Sequence, residues 1–203
     1  MIGLLGKKIG MTHRFGADGK FIPVSVLEAG PCFVLEVYDK SIQLGFDKVN
    51  PKRVACPQAG LFKKAGVPPQ AFIKEVKIDN AKDYKPGQEL KVDIFKEGDF
   101  VDVSGVSIGK GFCGGMKRWH WAGGPKTHGH TSHRRVGSIG SSTTPGRVFR
   151  GHHMPGHMGN RAVTTQNLKV IKIDSANNLL AVKGAVSGAK NGYLIIRKAK
   201  KKK

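Results

Sequence analysis

From residue 103 to residue 173 the sequence contains no aspartate and no glutamate. General acid–base chemistry and two-metal nuclease chemistry both need positioned carboxylates. The nearest, Asp102 and Asp174, lie at the two roots of the stretch rather than within it. The enzyme reading left standing is a ribonuclease that works with histidine alone. Cysteine is scarce as well. Cys32, Cys56 and Cys113 are far apart and form no CxxC pair, which argues against both a disulfide framework and a zinc site and suits a reducing cytosol. Long apolar runs are missing. Residues 1–10 offer only a few apolar positions before Lys7 and Lys8, too short for a signal-peptide core or a membrane span, so the expectation is a cytoplasmic protein that stays where it is made. No long amphipathic helix is evident, which weakens a membrane-surface reading of the basic charge. No repeat of solenoid period is present.

What the chain has in abundance is positive charge. Its 203 residues include 35 Lys and Arg against 14 Asp and Glu, a formal net charge of +21 and a pI near 10.2, with an ordinary hydrophobic fraction of 39%. Such a balance speaks of partners, here nucleic acid, rather than of fold. The length suits one sizeable core plus an arm. Residues 104–164 hold seven of the eight histidines and half of the glycines. Their cations are Lys110, Lys117, Arg118, Lys126, Arg134, Arg135, Arg147, Arg150 and Arg161. A segment this rich in glycine and like charge cannot bury enough apolar surface to offset its ordering entropy, and it is expected to need a polyanion to shape it.

The rest reads as β-structure. Residues 1–46 alternate short apolar runs with turn signals at Asp18-Gly19, Gly30-Pro31 and Asp39-Lys40, the pattern of a β-meander. Residues 50–69 lose the alternation, carry four prolines and suggest an insert with a helical turn or two at 58–65. Strands are expected again at 72–78, 89–95 and 100–103, then beyond the basic stretch at 168–173, 179–183 and 193–197. The strands on either side of the stretch are expected to belong to one sheet or barrel, with the arm as an excursion between neighbours. The basic end, residues 199–203, reads equally as a solvated tail or as an ordered phosphate contact.

Several motifs invite sharper chemistry. Gly109-Lys110-Gly111 lacks the spacing of a phosphate-binding P-loop and puts Gly111 where the magnesium-binding hydroxyl should be. Its glycines are better read as letting the backbone approach a phosphate that Lys110 also contacts. His128, His130 and His133, and separately His152, His153 and His157, could be metal ligands by count. The stretch supplies no carboxylate to accompany them, so no metal and no other cofactor is implied, and the imidazoles read as RNA contacts. Trp119 and Trp121 flank His120 immediately after Lys117 and Arg118; such a pair serves either as a packing anchor or as a base-stacking platform, and Trp121 is the candidate for RNA. Arg134 and Arg135 follow Ser132, and Ser141, Thr143 and Thr144 precede Arg147 and Arg150. This mixture of hydroxyls, guanidinium groups and Gly or Pro turns suits tracking along an RNA backbone.

Particular words carry a resemblance. They are MIGLLGKKIGMT at residues 1–12, GKGF at 109–112 with KRW at 117–119, THG at 127–129, SHR at 132–134, GSIG at 137–140, TPGRVF at 144–149, MPGHMG at 154–159, and NLL at 178–180 with VKGAV at 182–186. In these, over essentially its whole length, the chain resembles the large-subunit ribosomal protein three family in its bacterial form. The resemblance implies a mainly β fold: a translation-protein-like β-barrel with a small α+β insert and a long, extended, basic, Gly-rich loop. It implies a body at residues 1–118 and 161–198 with the insert around 50–70, and an arm at 119–160 with its tip near 140–145. The arm would thread through large-subunit (23S) ribosomal RNA towards the peptidyl transferase centre. Family members act early in subunit assembly and touch neighbouring large-subunit proteins. No small-molecule substrate and no membrane partner follow. Lys7, Lys8, Lys126 and Arg161 join the RNA-binding candidates. Two positions depart from the pattern. Many bacterial relatives carry a methylated glutamine where Thr143 stands, so no such modification is expected, and Arg135-Val136 replaces a frequent Val-Pro or Ala-Pro. The rival reading is a general nucleic-acid-binding or RNA-chaperone protein.

Overall fold

The computed structural model describes residues 3–16, 18–78, 80 and 83–202. The first two residues of the opening motif and Lys203 of the basic tail lie outside the described residues. The chain forms two compact units, Met1–Ser107 with Ala162–Lys203, and Ile108–Arg161. In the first unit strands β1 (Gly3–Phe15) and β2 (Phe21–Ala29) are followed by β3 (Cys32–Tyr38) and β4 (Ser41–Lys48), helix α1 (Cys56–Ala65), β5 (Gln70–Lys77), β6 (Glu89–Leu90) and β7 (Phe100–Val106). The second unit holds β8 (Phe112–Cys113), α2 (Gly115–Trp119) and β9 (Gly156–His157). The first then resumes with β10 (Ala162–Asp174), β11 (Leu179–Lys183) and β12 (Tyr193–Lys198).

Six antiparallel strands close a barrel in the order β1-β12-β7-β10-β11-β2. Its inside is written at period two. Val101 and Val103, Leu180 and Val182, and Leu194 and Ile196 are all buried, with half-exposed residues between them. Closure leaves this ring no unpaired edge. β7 and β10 are neighbours, paired from Ala162 opposite Val106 to Lys169 opposite Phe100 with one register shift between Thr165 and Leu168, and the Ser104 and Thr164 hydroxyls lie 2.7 Å apart across the ladder. The whole second unit is therefore spliced between two paired strands.

The first 46 residues do not form one meander. β1 and β2 belong to the barrel, whereas β3 and β4 belong to a separate four-stranded sheet of order β5-β4-β3-β6. The switch occurs at Gly30-Pro31, where Gly30 has φ +91°, a conformation open to glycine at no steric cost. Both sheets feed one core, in which Leu4, Leu5 and Ala29 meet Val34, Ile42 and Val76. Tyr193 of the barrel stacks flat on Phe72 of β5, ring centroids 4.6 Å apart. The strand expected at 89–95 stops at Leu90 and turns into a 3-10 helix at Val92–Ile94. That three-residue turn buries Val92 and Phe95 on the same side, which a strand, alternating faces, would not do.

Residues 50–69 hold a 3-10 turn at Pro51–Arg53 and helix α1, where the sequence suggests a helical turn or two at 58–65. Pro57 opens α1, and Gly66 closes it at φ +68° with its N–H directed to the Lys63 and Phe62 carbonyls, the usual start and stop of a helix. Phe62 packs on Leu35 and Val67, and Lys64 donates to the Glu36 carboxylate of β3 at 3.1 Å. At the C-terminus Ala199 N–H donates to Phe100 O, Lys200 N–H to Asp102, and the Lys202 ammonium sits 4.4 Å from the centre of the Phe100 ring. The tail thus begins as an ordered continuation of β12.

Candidate nucleic-acid interface

The second unit is built from turns and a short ladder. β8 and β9 pair Phe112 with His157 and Cys113 with Gly156, and Lys110 N–H donates to Met158 O while Met158 N–H donates to Gly111 O. Gly159 sits at φ +74°, where a Cβ would overlap the Ile108 carbonyl. Two strands pinned this closely leave the Lys110 side chain exposed beside them.

Above this ladder α2 presents Lys117, Arg118 and Trp119. Arg118 and the Trp119 indole N–H both donate to Met154 O, each at 2.8 Å. Trp119 lies flat on His153, centroids 3.9 Å apart and planes 4° apart, with the Arg118 guanidinium 5.0 Å from its ring centre. These contacts tie α2 to the returning chain inside the unit. Trp119 and Arg118 are thereby packing elements, while Lys117 on the same helix is exposed.

The histidines do not converge on a metal: among the described residues no three His, Cys, Asp or Glu side chains come together at a metal-binding distance. Two of them instead shape a loop. His133 donates through Nδ1 to Pro125 O at 2.8 Å while its own carbonyl accepts from Gly124 N–H, and His130 Nδ1 accepts from Ser132 N–H at 3.2 Å. His128, with φ +59°, and His152 and His157 are exposed.

From residue 134 to residue 153 every side chain is exposed. This includes Arg134, Arg135, Ser141, Thr143, Thr144, Arg147, Arg150, His152 and His153. Lys126 and Arg161 are exposed too. Arg147 lies 6.0 Å from the Phe149 ring centre. The Thr144–Pro145 peptide is cis, and Gly146 follows at φ +67°. The unit contains nine Lys and Arg and no carboxylate, so its positive potential is not offset from within.

Lys7 and Lys8 are placed differently from the others. Lys7 donates to Asp47 at 3.2 Å, and that hydrogen bond holds its ammonium above the usual lysine range. Tyr193 OH donates to the same carboxylate oxygen at 2.9 Å. Lys8 donates to the carbonyls of Val186 and Gly188 at 2.7 and 3.1 Å. The Lys7 ammonium ties the barrel strand β1 to β4 of the four-stranded sheet, and the Lys8 ammonium ties β1 to the loop between β11 and β12. Sequence reading also passed over an exposed aromatic group at the far end of the β1–β2 hairpin. There His13 stacks on Phe21 at 4.5 Å, and Phe15 meets both edge-on. The signal was available: apolar residues on both sides of a Gly-rich turn, too near the tip to reach a core.

Comparison with known proteins adds the following. The family model described as ribosomal protein L3 matches residues 73–178. The protein named large ribosomal subunit protein uL3 from Brachyspira pilosicoli is 49% identical over 209 aligned positions, covering 100% of this chain and 96% of its own. The uL3 of Thermosipho africanus is 48% identical over 204, covering 98% of each. That of Corynebacterium jeikeium is 48% identical over 206, covering 98% and 94%.

Proposed function

The chain belongs to the ribosomal protein L3 family, and on that premise we propose that its second unit is the arm that binds large-subunit ribosomal RNA and helps the subunit assemble. The family is a structural constituent of the large ribosomal subunit, at work in the bacterial cytoplasm, and not an enzyme. The observation that carries the RNA reading is the exposure of the arm's cations and hydroxyls over residues 134–153 in a unit without one carboxylate. Lys and Arg neutralise phosphates where RNA helices crowd together, and glycines let the backbone pass through narrow gaps. Recognition rests on RNA shape, because the deep major groove of A-form RNA hides base edges from side chains.

The barrel anchors the arm by pairing β7 with β10, and its surface meets neighbouring large-subunit proteins. The tip at residues 140–145 reaches towards the peptidyl transferase centre and braces the RNA there without taking part in chemistry. Lys7 and Lys8 act within the body rather than on RNA. Changing Arg134 and Arg135 together to Glu tests the reading. The variant should fold with an unchanged circular dichroism spectrum yet fail to enter large subunits, and normal incorporation would refute the arm's role.

A further inference from the structure

The second unit encloses an open cleft of about 400 Å³, lined by Trp121, Val136, Ser138, Gly151, His152 and His153. Two of its walls are braced from behind. Trp121 rests on α2, where a Cβ added at Gly115 would overlap the indole; only glycine lets the ring lie against the helix backbone there. His153 is backed by the flat stack on Trp119, and that indole is tied to Met154 O by its own N–H. An aromatic surface fixed on one side offers its other side without further loss of side-chain entropy. Between the braced rings the lining is mixed. Val136 is apolar, and the Ser138 hydroxyl donates to Gly140 O at 3.3 Å, which leaves its oxygen to accept.

The charge around the cleft narrows what can enter. The unit carries nine cations and no carboxylate, so the favoured occupant is a flat, polar-edged ring attached to a negative chain. A protein side chain has the ring without the charge, and a duplex has the charge but keeps its rings stacked on one another. A single unpaired nucleotide has both. The volume lies in the range of roughly 300–1,000 Å³ usual for small-ligand sites, room for one base with its sugar.

We propose that this cleft takes one unstacked nucleobase of the RNA, lying against Trp121 and the His153 imidazole. The proposal rests on the RNA-binding reading above and adds the occupant of one particular site. Trp121 and His153 then hold a nucleotide pulled out of its helix, the usual way proteins read single-stranded RNA. The arm would fix one RNA loop by an inserted base in addition to the many phosphates it neutralises.

The test uses large subunits carrying the full-length chain. Subunits are irradiated at 254 nm, and the peptides bearing crosslinked nucleotides are read by mass spectrometry. The expected result is one nucleotide attached to Trp121, His152 or His153, at a single site in the ribosomal RNA. In Trp121→Ala subunits that adduct should fall at least tenfold, and the same nucleotide should gain reactivity towards base-modifying and ribose-acylating reagents. Trp121→Phe should retain most of the protection. Crosslinks at Lys126 or Arg147 with none in the cleft would overturn the proposal and leave the RNA-binding function standing. Absence of the wild-type chain from large subunits would overturn both. If Trp121→Ala does not incorporate, the wild-type crosslink alone decides.

Discussion

The Asp102 carboxylate accepts a hydrogen bond from the backbone N–H of Asn167 at 2.8 Å. Asp102 is the last acid before the long acid-free stretch, and Asn167, with φ +57°, sits where the β10 ladder shifts register against β7 between Thr165 and Leu168. The other oxygen of the same carboxylate accepts from Lys200 N–H at 3.3 Å. One side chain thus joins the strand before the arm, the bulge after it and the C-terminal tail. Asp102→Ala leaves two backbone donors without this partner and should cost about 1–2 kcal/mol of unfolding free energy in urea titration. A loss below a few tenths would mean that water replaces the carboxylate freely.

Thiol chemistry should separate the three cysteines. Cys32 is buried, its Sγ donates to Leu5 O at 3.2 Å, and burial pushes its thiol up to about 12. At pH 8 only about one such thiol in ten thousand is ionised. Cys56 is exposed, and Cys113 is buried with its Sγ donating to Lys110 O. In the native protein a disulfide reagent should therefore titrate Cys56 promptly and Cys32 only on unfolding, as peptide mapping would show. Rapid labelling of Cys32 would contradict the packing described.

The Lys7–Asp47 pair gives a pH signature. Its hydrogen bond raises the Lys7 ammonium above 10.5 in the folded state, so the stabilisation is complete below pH 10.5 and fades as pH climbs through the raised folded value. A double-mutant cycle of Lys7→Met and Asp47→Asn should show coupling of about 0.5–1 kcal/mol at neutral pH, lost once the pH has climbed past the raised lysine value. If Lys7 instead served RNA, its loss would flatten the salt dependence of RNA binding. The slope should stay as in the wild type.

Removal of single arm cations should act on RNA affinity with little effect on the fold. Arg134→Ala or Arg150→Ala should each reduce the slope of log K against log salt by about one and leave the thermal midpoint unchanged. Arg118→Ala should do the reverse, loosening the arm itself, because Arg118 is tied to Met154 O and covers Trp119. Intrinsic tryptophan fluorescence would report the second effect and filter binding the first.

Local pattern made much of the body legible. β11 occupies residues 179–183 as expected, and α1 and β12 differ from expectation by a residue or two, because apolar periodicity and Gly or Pro punctuation both point the same way there. What pattern could not show was partnership. β1 and β2 separate from β3 and β4 because β1 pairs with β12 and β2 with β11, contacts between distant parts of the chain that leave no mark in a local window. β10 begins at Ala162 rather than near 168. Its first six residues are mostly polar and are exposed or half-exposed, held by the ladder to β7 rather than by burial. In the arm, charge and glycine content were readable, but the bracing of Trp121 by Gly115 and of His153 by Trp119 was not, since it joins residues up to about thirty-five positions apart.

The role proposed for the acid-free arm is binding to large-subunit ribosomal RNA. Sedimentation of tagged chain from gently lysed cells, with sequencing of the RNA retained after a high-salt wash, tests it most directly. The wild-type chain should stay with the large subunit on its ribosomal RNA, while the Arg134→Glu, Arg135→Glu double variant should stay at the top of the gradient. A wild-type chain released by salt and carrying mixed RNA or DNA would contradict it and favour a general nucleic-acid binder.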